Sequence, residues 1–322
     1  RANAHFGYYI ALDGDLLAIS APEDSGGGAI HTFEWDGTGF RSIGELRGDS
    51  DELLLGRSIA LEGNRLAAGA PGDNRGATGA GSVWVWERRD GRWQDPVTLR
   101  PKGASTWDFL GSAVALEGDL IASGATGRTV EGTLPGGAVY VFQRTADGWK
   151  ELQMLRPTVN EPGAFFGESV GISGDSIAVG AFNGNGGLTG GAAYVFQRAG
   201  DGTWSQQALL RPTNTRSGDF FALRLAISGD TLLVGAPREA SANGGIAANG
   251  GGTLTASGAV YVFSRERGNW RQLVQIKPEQ PMASAEFGII VDIQGDEFVV
   301  GTTDDFGRDG SGAGTGSVYV FR

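Results

Sequence analysis

The chain alternates short apolar runs with glycine-rich turns, and one phrase returns six times along it. A run of alternating type, such as SVGIS from Ser169 or AVALE from Ala113, leads into a tight turn. The turns are Asp13-Gly14-Asp15, Glu62-Gly63-Asn64, Glu117-Gly118-Asp119, Ser173-Gly174-Asp175, Ser228-Gly229-Asp230 and Gln294-Gly295-Asp296. A second apolar run follows, as in SIAVGA, TLLVGA or EFVVGT. Period-two alternation around a Gly-containing turn predicts a β-hairpin. A variable Gly-rich loop comes next, then a third run that barely changes between copies: VWVWER, VYVFQR, AYVFQR, VYVFSR, VYVFR. A fourth begins at Trp93, Trp149, Trp204 or Trp270, with Phe40 in the first copy, and ends near Leu-Arg-Pro or Ile-Lys-Pro.

The third run is apolar on both sides, with Val139 and Val141 pointing one way and Tyr140 and Phe142 the other. A strand needs that pattern when packed elements cover both of its faces. No stretch shows an apolar period of 3.6 residues, so the covering elements are other sheets rather than helices. Turns recurring every ~50–65 residues match the size of a propeller blade. The expected fold is therefore all-β: a single β-propeller domain over 1–322, with repeats near 5–49, 50–103, 104–158, 159–213, 214–280 and 281–322. The sixth copy stops after its third run at Phe321-Arg322. That leaves 23 predicted strands, one short of six four-stranded blades. Either one blade has three strands or residues before Arg1 complete the ring, which would also permit a seventh blade.

The copies resemble the FG-GAP repeats of integrin-like β-propellers, and bacterial relatives in particular. The Phe-Gly position reads Phe6-Gly7, Leu55-Gly56, Leu110-Gly111, Phe166-Gly167, Phe221-Ala222 and Phe287-Gly288. The Gly-Ala-Pro position reads Ser20-Ala21-Pro22, Gly69-Ala70-Pro71, Gly124-Ala125-Thr126, Gly180-Ala181-Phe182, Gly235-Ala236-Pro237 and Gly301-Thr302-Thr303. The resemblance implies a propeller that binds partners through one face. In that family several of the hairpin turns are longer, Asp/Asn-rich calcium loops. Calcium takes six to eight oxygens, and a three-residue turn with at most two carboxylates does not supply them. No cofactor is expected, and calcium is the one metal left open.

Composition narrows the function. There are 56 Gly and 40% apolar residues among 322, which fits a turn-rich folded chain rather than a disordered one. The formal charge of −11 repels phosphate backbones, so nucleic acid is not an expected partner. The absence of cysteine removes disulfides, thiol nucleophiles and Cys-based zinc sites. No apolar run is long enough to span a membrane. His5 and His31 are the only histidines, and His31 stands in the Tyr position of the third run, as a packed residue rather than a base. No nucleophile elbow or phosphate loop is present; a two-carboxylate glycosidase site is left open, since carboxylates are plentiful. The chain reads as a non-enzymatic module, secreted or at the cell surface.

Strand alternation puts the first-to-second and third-to-fourth turns on one side of the fold. The second-to-third and fourth-to-first loops then share the other side. The long loops Pro71–Gly81, Thr126–Gly137, Phe182–Gly191, Pro237–Gly258 and Thr302–Gly316 all fall in the second set. Variable loops on a rigid scaffold are the usual place for binding. The candidate contacts there are Trp107, Asp108, Arg128, Arg238, Asn243, Asn249, Phe306 and Arg308. Trp107 can anchor a protein interface or stack on a sugar, or else it packs over a blade rim. Asp304, Asp305 and Asp309 form the one acidic loop able to offer a cation carboxylates, at a spacing that matches no standard site. Arg47-Gly48-Asp49 is a triplet that this composition yields by chance, and no adhesive role is assigned to it. A protein partner or homo-assembly is the first expectation, in adhesion or a surface assembly. Carbohydrate binding is the alternative.

Overall fold

A computed structural model describes residues 4–50, 52–129, 135–159, 161–184, 189–246, 251–303 and 316–322. All of its named elements are strands, gathered into six antiparallel sheets. The first sheet holds β1 (Ile10–Asp13), β2 (Leu16–Ala21), β3 (Ala29–Trp35) and β4 (Phe40–Arg47). The second holds β5 (Ile59–Glu62), β6 (Arg65–Ala70), β7 (Ser82–Arg89), β8 (Arg92–Trp93) and β9 (Val97–Leu99). The third holds β10 (Leu110–Glu117), β11 (Leu120–Ala125), β12 (Ala138–Thr145) and β13 (Gly148–Leu155). The fourth holds β14 (Ser169–Ser173), β15 (Ser176–Ala181), β16 (Ala192–Arg198) and β17 (Trp204–Leu210). The fifth holds β18 (Arg224–Ser228), β19 (Thr231–Ala236), β20 (Gly245–Ile246), β21 (Ala259–Glu266) and β22 (Asn269–Lys277). The sixth holds β23 (Ile290–Gln294), β24 (Glu297–Thr302) and β25 (Ser317–Phe321).

The architecture is a six-blade β-propeller, built on four-stranded antiparallel sheets whose strands follow chain order. Two departures raise the strand count above the expected 23. In the second sheet Pro96 cannot donate to the ladder, and the fourth strand is split into β8 and β9, both paired with β7. In the fifth, β20 from the long loop adds to the outer edge of β22. The sixth sheet has three strands among the described residues.

The chain divides into two compact units, Arg1–Arg156 and Pro157–Arg322. Within each, neighbouring sheets pack face to face through the third strand. Val83 and Val85 of β7 meet Leu110, Tyr140 and Phe142 of the third sheet. Val260 and Val262 of β21 meet Phe287, Val291 and Val300 of the sixth. Val139, Val141, Tyr140 and Phe142 are all at most 2% exposed, so both faces of β12 are covered.

The repeated dipeptides are where adjacent sheets touch. The amide of Gly56 donates to the carbonyl of Gly69 within the second sheet. The carbonyl of Gly111 in the next sheet then lies so close that a Cβ on Gly69 would sit 1.9 Å from it. Ser58 adds a hydroxyl that donates to the same Gly111 oxygen at 3.0 Å. The aromatic or leucine member of each pair fills the seam: Leu55, Leu110, Phe166, Phe221 and Phe287 are completely buried. Phe6 is the exception at 58% exposure, because no described sheet of its unit covers that side of the first sheet.

Candidate interaction face

The residue before each Phe-Gly pair adopts a left-handed backbone: His5, Leu54, Phe109, Phe165, Phe220 and Glu286 have φ of 51 to 56°. Side chains larger than Gly rarely adopt this conformation, and each instance costs on the order of 1–3 kcal/mol. Hydrogen bonds to the preceding sheet hold it. The amides of Leu55, Leu110, Phe221 and Phe287 donate to the carbonyls of Gly27, Ala80, Gly190 and Ser257 at 2.9–3.1 Å. The left-handed residue's own carbonyl accepts from the amide three residues on, as in Glu168 to Phe165. One side chain of the pair is thereby driven into the seam, and the one before it is turned outward.

In the second unit the outward side chains join. Phe165 stacks on Phe182 with ring centres 5.3 Å apart, and Phe182 meets Phe220 edge-on at 5.1 Å. The Arg238 guanidinium lies 4.3 Å over the Phe220 ring. Phe165 is 42% exposed, and Phe182 and Phe220 are half-buried. The result is a continuous aromatic row ending in a cation. In the first unit Trp107 is 55% exposed and also left-handed, at φ 64°. Its indole leans on Gly79, where a Cβ would come within 2.5 Å of the ring, and on Phe109.

The other sequence candidates fall into three groups. Asp108 and Arg128 are brought together, but inward. Asp108 is 1% exposed; its carboxylate accepts from Arg128 Nη1 and the Ser105 amide, both at 2.7 Å. Arg128 also donates to the Gly103 carbonyl and Ser105 hydroxyl, so the pair closes its own loop rather than facing a partner. Arg238 and Asn243 are exposed. Asn249, Asp304, Asp305, Phe306, Arg308 and Asp309 lie outside the described residues. Sequence reasoning missed Phe165, Phe182 and Phe220; the signal was an aromatic standing directly before the Phe-Gly pair and after the Gly-Ala.

Buried acid–base clasps recur behind these loops. Asp24 pairs with Arg47 at 3.0 Å and Asp73 with Arg100 at 2.6 Å. Glu239 pairs with Lys277. In each the acid lies three residues after the Gly-Ala alanine, and the base ends the fourth strand or directly follows it. Burial pushes the Asp73 carboxyl up, but hydrogen bonds from Arg75, Ser82 and Arg100 outweigh it and hold the group well below the usual range. Burial raises Asp219 to about 6, with the neighbouring Glu239 adding to the rise and the Arg216 amide opposing it. Arg47 and Asp49 of the Arg-Gly-Asp triplet are both engaged within the chain, with Asp24 and Arg75. One group of His, Asp and Glu among the described residues could hold a metal: Asp24, His31 and Glu45. Arg47 already occupies both carboxylates.

The hairpin turns on the opposite side do a different task. The Asp13 carboxylate accepts the Gly63 amide at 2.5 Å, and Glu62 accepts that of Gly118. The hydroxyls of Ser173 and Ser228 accept from Gly229 and Gly295 at 2.9 and 3.1 Å. In these four turns the residue before the glycine holds the glycine of the next turn.

The model of the FG-GAP repeat matches residues 149–196, 204–263 and 270–321. The chain carries FG-GAP repeats. Each match runs from a fourth-strand Trp to a third-strand Phe, so the family's repeat is staggered by one strand against the sheet. No curated protein sequence matches the chain. Among solved structures it is similar to a Bacteroides uniformis protein provisionally assigned as a 6-phosphogluconolactonase. The TM-score is 0.57 at 11% identity, over 98% of this chain and 88% of that one, a likeness of fold. No helix among the described residues is long and apolar enough to cross a membrane.

Proposed function

We propose that this FG-GAP propeller is a non-enzymatic interaction module that binds a protein partner through its long-loop face, outside the cell or at its surface. The observation that carries this reading is the aromatic row Phe165–Phe182–Phe220 capped by Arg238. Aromatic and Arg side chains dominate the energetics of protein interfaces. Here they are presented on a backbone whose strain the surrounding sheets sustain, and strained loops concentrate at binding sites. FG-GAP membership agrees with an interaction module. Metal has no part in the proposal, because the turns that carry calcium in longer-looped relatives here hold one another.

The test is quantitative co-purification from the native source with the wild-type chain and with the Phe165→Ala/Phe220→Ala variant. A stoichiometric partner that the wild type retains and the variant loses supports the reading. A partner set identical for both would overturn it. Binding to a glycan array that depends on Trp107 would instead make the chain a lectin-like propeller.

A further inference from the structure

An asparagine followed by glycine carries its own nucleophile. The next backbone nitrogen reaches the side-chain carbonyl carbon in a five-membered ring, and glycine has no Cβ to hinder the approach. The chain has four such steps, at Asn183, Asn185, Asn243 and Asn249. Asn185 and Asn249 lie outside the described residues. Of the other two, one is held and one is open. Asn183 is half-buried and Gly184 is buried. The Asn183 Nδ2 donates to the Gly163 carbonyl at 3.0 Å, and its backbone amide to the Ala164 carbonyl at 3.3 Å. Asn243 and Gly244 are both exposed. Among the described residues neither the Asn243 side chain nor the Gly244 amide makes a hydrogen bond. We propose that Asn243-Gly244 is a self-modifying site, which expels the Asn243 side-chain nitrogen, becomes isoaspartate and so loosens β20 from the edge of β22.

The step needs only water besides the chain. The Gly244 nitrogen bonds to Asn243 Cγ, the Cγ–Nδ2 bond breaks, and Nδ2 leaves as ammonia with the proton of the Gly244 amide. Water then opens the cyclic imide. Opening at the side-chain carbonyl gives aspartate. Opening at the main-chain carbonyl gives isoaspartate, whose backbone runs through Cβ and Cγ and is one atom longer. Either product releases a proton and leaves a carboxylate where a neutral amide stood. The extra atom falls just before β20. There the Gly245 amide donates to the Pro278 carbonyl at 3.2 Å, and Gly245 and Ile246 pair with Lys277 and Ile276. A strand of two residues has no further pairs to keep its register against a lengthened backbone. Packing also fixes the labile sequence in place. A Cβ on Gly244 would sit 2.3 Å from the Glu279 carbonyl oxygen and 2.4 Å from that of Pro278. A second glycine, Gly251, leaves room for the amide, since a Cβ there would lie 2.7 Å from Asn243 Nδ2.

The test ages the intact chain at mildly alkaline pH and maps it by peptide mass spectrometry, with electron-transfer fragmentation to tell isoaspartate from aspartate. Asn243 should convert at least about tenfold faster than Asn183, the factor that one retained hydrogen bond supplies. Isoaspartate should be the larger product. Hydrogen exchange at the Gly245 amide should rise at least about tenfold in the converted chain, with no change over β21. Asn243→Gln, whose longer side chain does not close the same ring, should age with the exchange of the fresh wild type. Conversion of Asn243 no faster than that of Asn183 would overturn the proposal. So would an intact Asn243 after the free peptide Ser241 to Ile246 has converted, or aspartate without isoaspartate, which marks direct hydrolysis. Unchanged exchange at Gly245 in the converted chain would overturn the loosening of β20.

Discussion

Glu62 accepts the backbone amide of Gly118 with both carboxylate oxygens, at 3.0 and 2.8 Å, across 56 residues of chain. A charged acceptor on a backbone donor is worth about 1.5–3 kcal/mol where shielded. Glu62 is half-exposed, which places the contact at the lower end. Glu62→Ala should therefore lower stability by about 1–2 kcal/mol in urea denaturation, and Glu62→Gln by less, since an amide oxygen still accepts. A chelator, by the same logic, should leave the melting temperature unchanged. A loss of many degrees would show a structural metal that these turns do not explain.

The Phe-Gly motif predicts a buried aromatic in every copy, and the structure separates two of them. Phe221 is fully buried against Tyr261 and Phe263, in a seam completed by Ala193 and Val195 of the preceding sheet. Phe6 is 58% exposed. Phe221→Ala should cost about 3–5 kcal/mol and Phe6→Ala less than about 1. Equal costs would mean that Phe6 is covered in solution.

That contrast marks how far the sequence can be read. Strand alternation, the tight turns and a third strand apolar on both faces are local patterns, and they are visible in six copies. Whether a given face is covered depends on the neighbouring sheet, which lies some 50 residues away and leaves no local trace. The same holds for Asp108 and Arg128. As loop residues with charge they read as surface groups, and only their approach across 20 residues turns them into a buried clasp. The aromatic row was legible in composition but not in geometry. Nothing in Phe165 or Phe220 alone says that the backbone there is left-handed, since that follows from hydrogen bonds to another sheet.

Asp219 gives a pH signature. It is 4% exposed, and its folded value of about 6 lies above the ordinary 3.8. Between those values the folded chain keeps the proton and the unfolded chain releases it, so stability falls as pH rises through the window. The full effect amounts to about 2–3 kcal/mol above pH 6. Asp219→Asn keeps an acceptor for the Arg216 amide and removes the charge. It should be more stable than the wild type at pH 7 and nearly equal to it at pH 4 in parallel denaturation curves. An unchanged difference across that range would place the Asp219 carboxyl in solvent.

The Glu239–Lys277 clasp separates the two charges from one another's need. The Lys277 side chain is completely buried and Glu239 nearly so; Nζ donates to Glu239 and to the Ser257 hydroxyl, and Ser241 donates to the same carboxylate. Burial pulls the lysine down, and Glu239 opposes that fall. Removing one partner strands a buried charge at a cost of about 3–5 kcal/mol, whereas removing both leaves no uncompensated ion. Lys277→Met should therefore be severely destabilised, and adding Glu239→Gln should restore about half or more of the loss, because desolvation and not the ion pair itself dominates the single change. Additive costs for the two substitutions would show instead that the two side chains are energetically independent of one another.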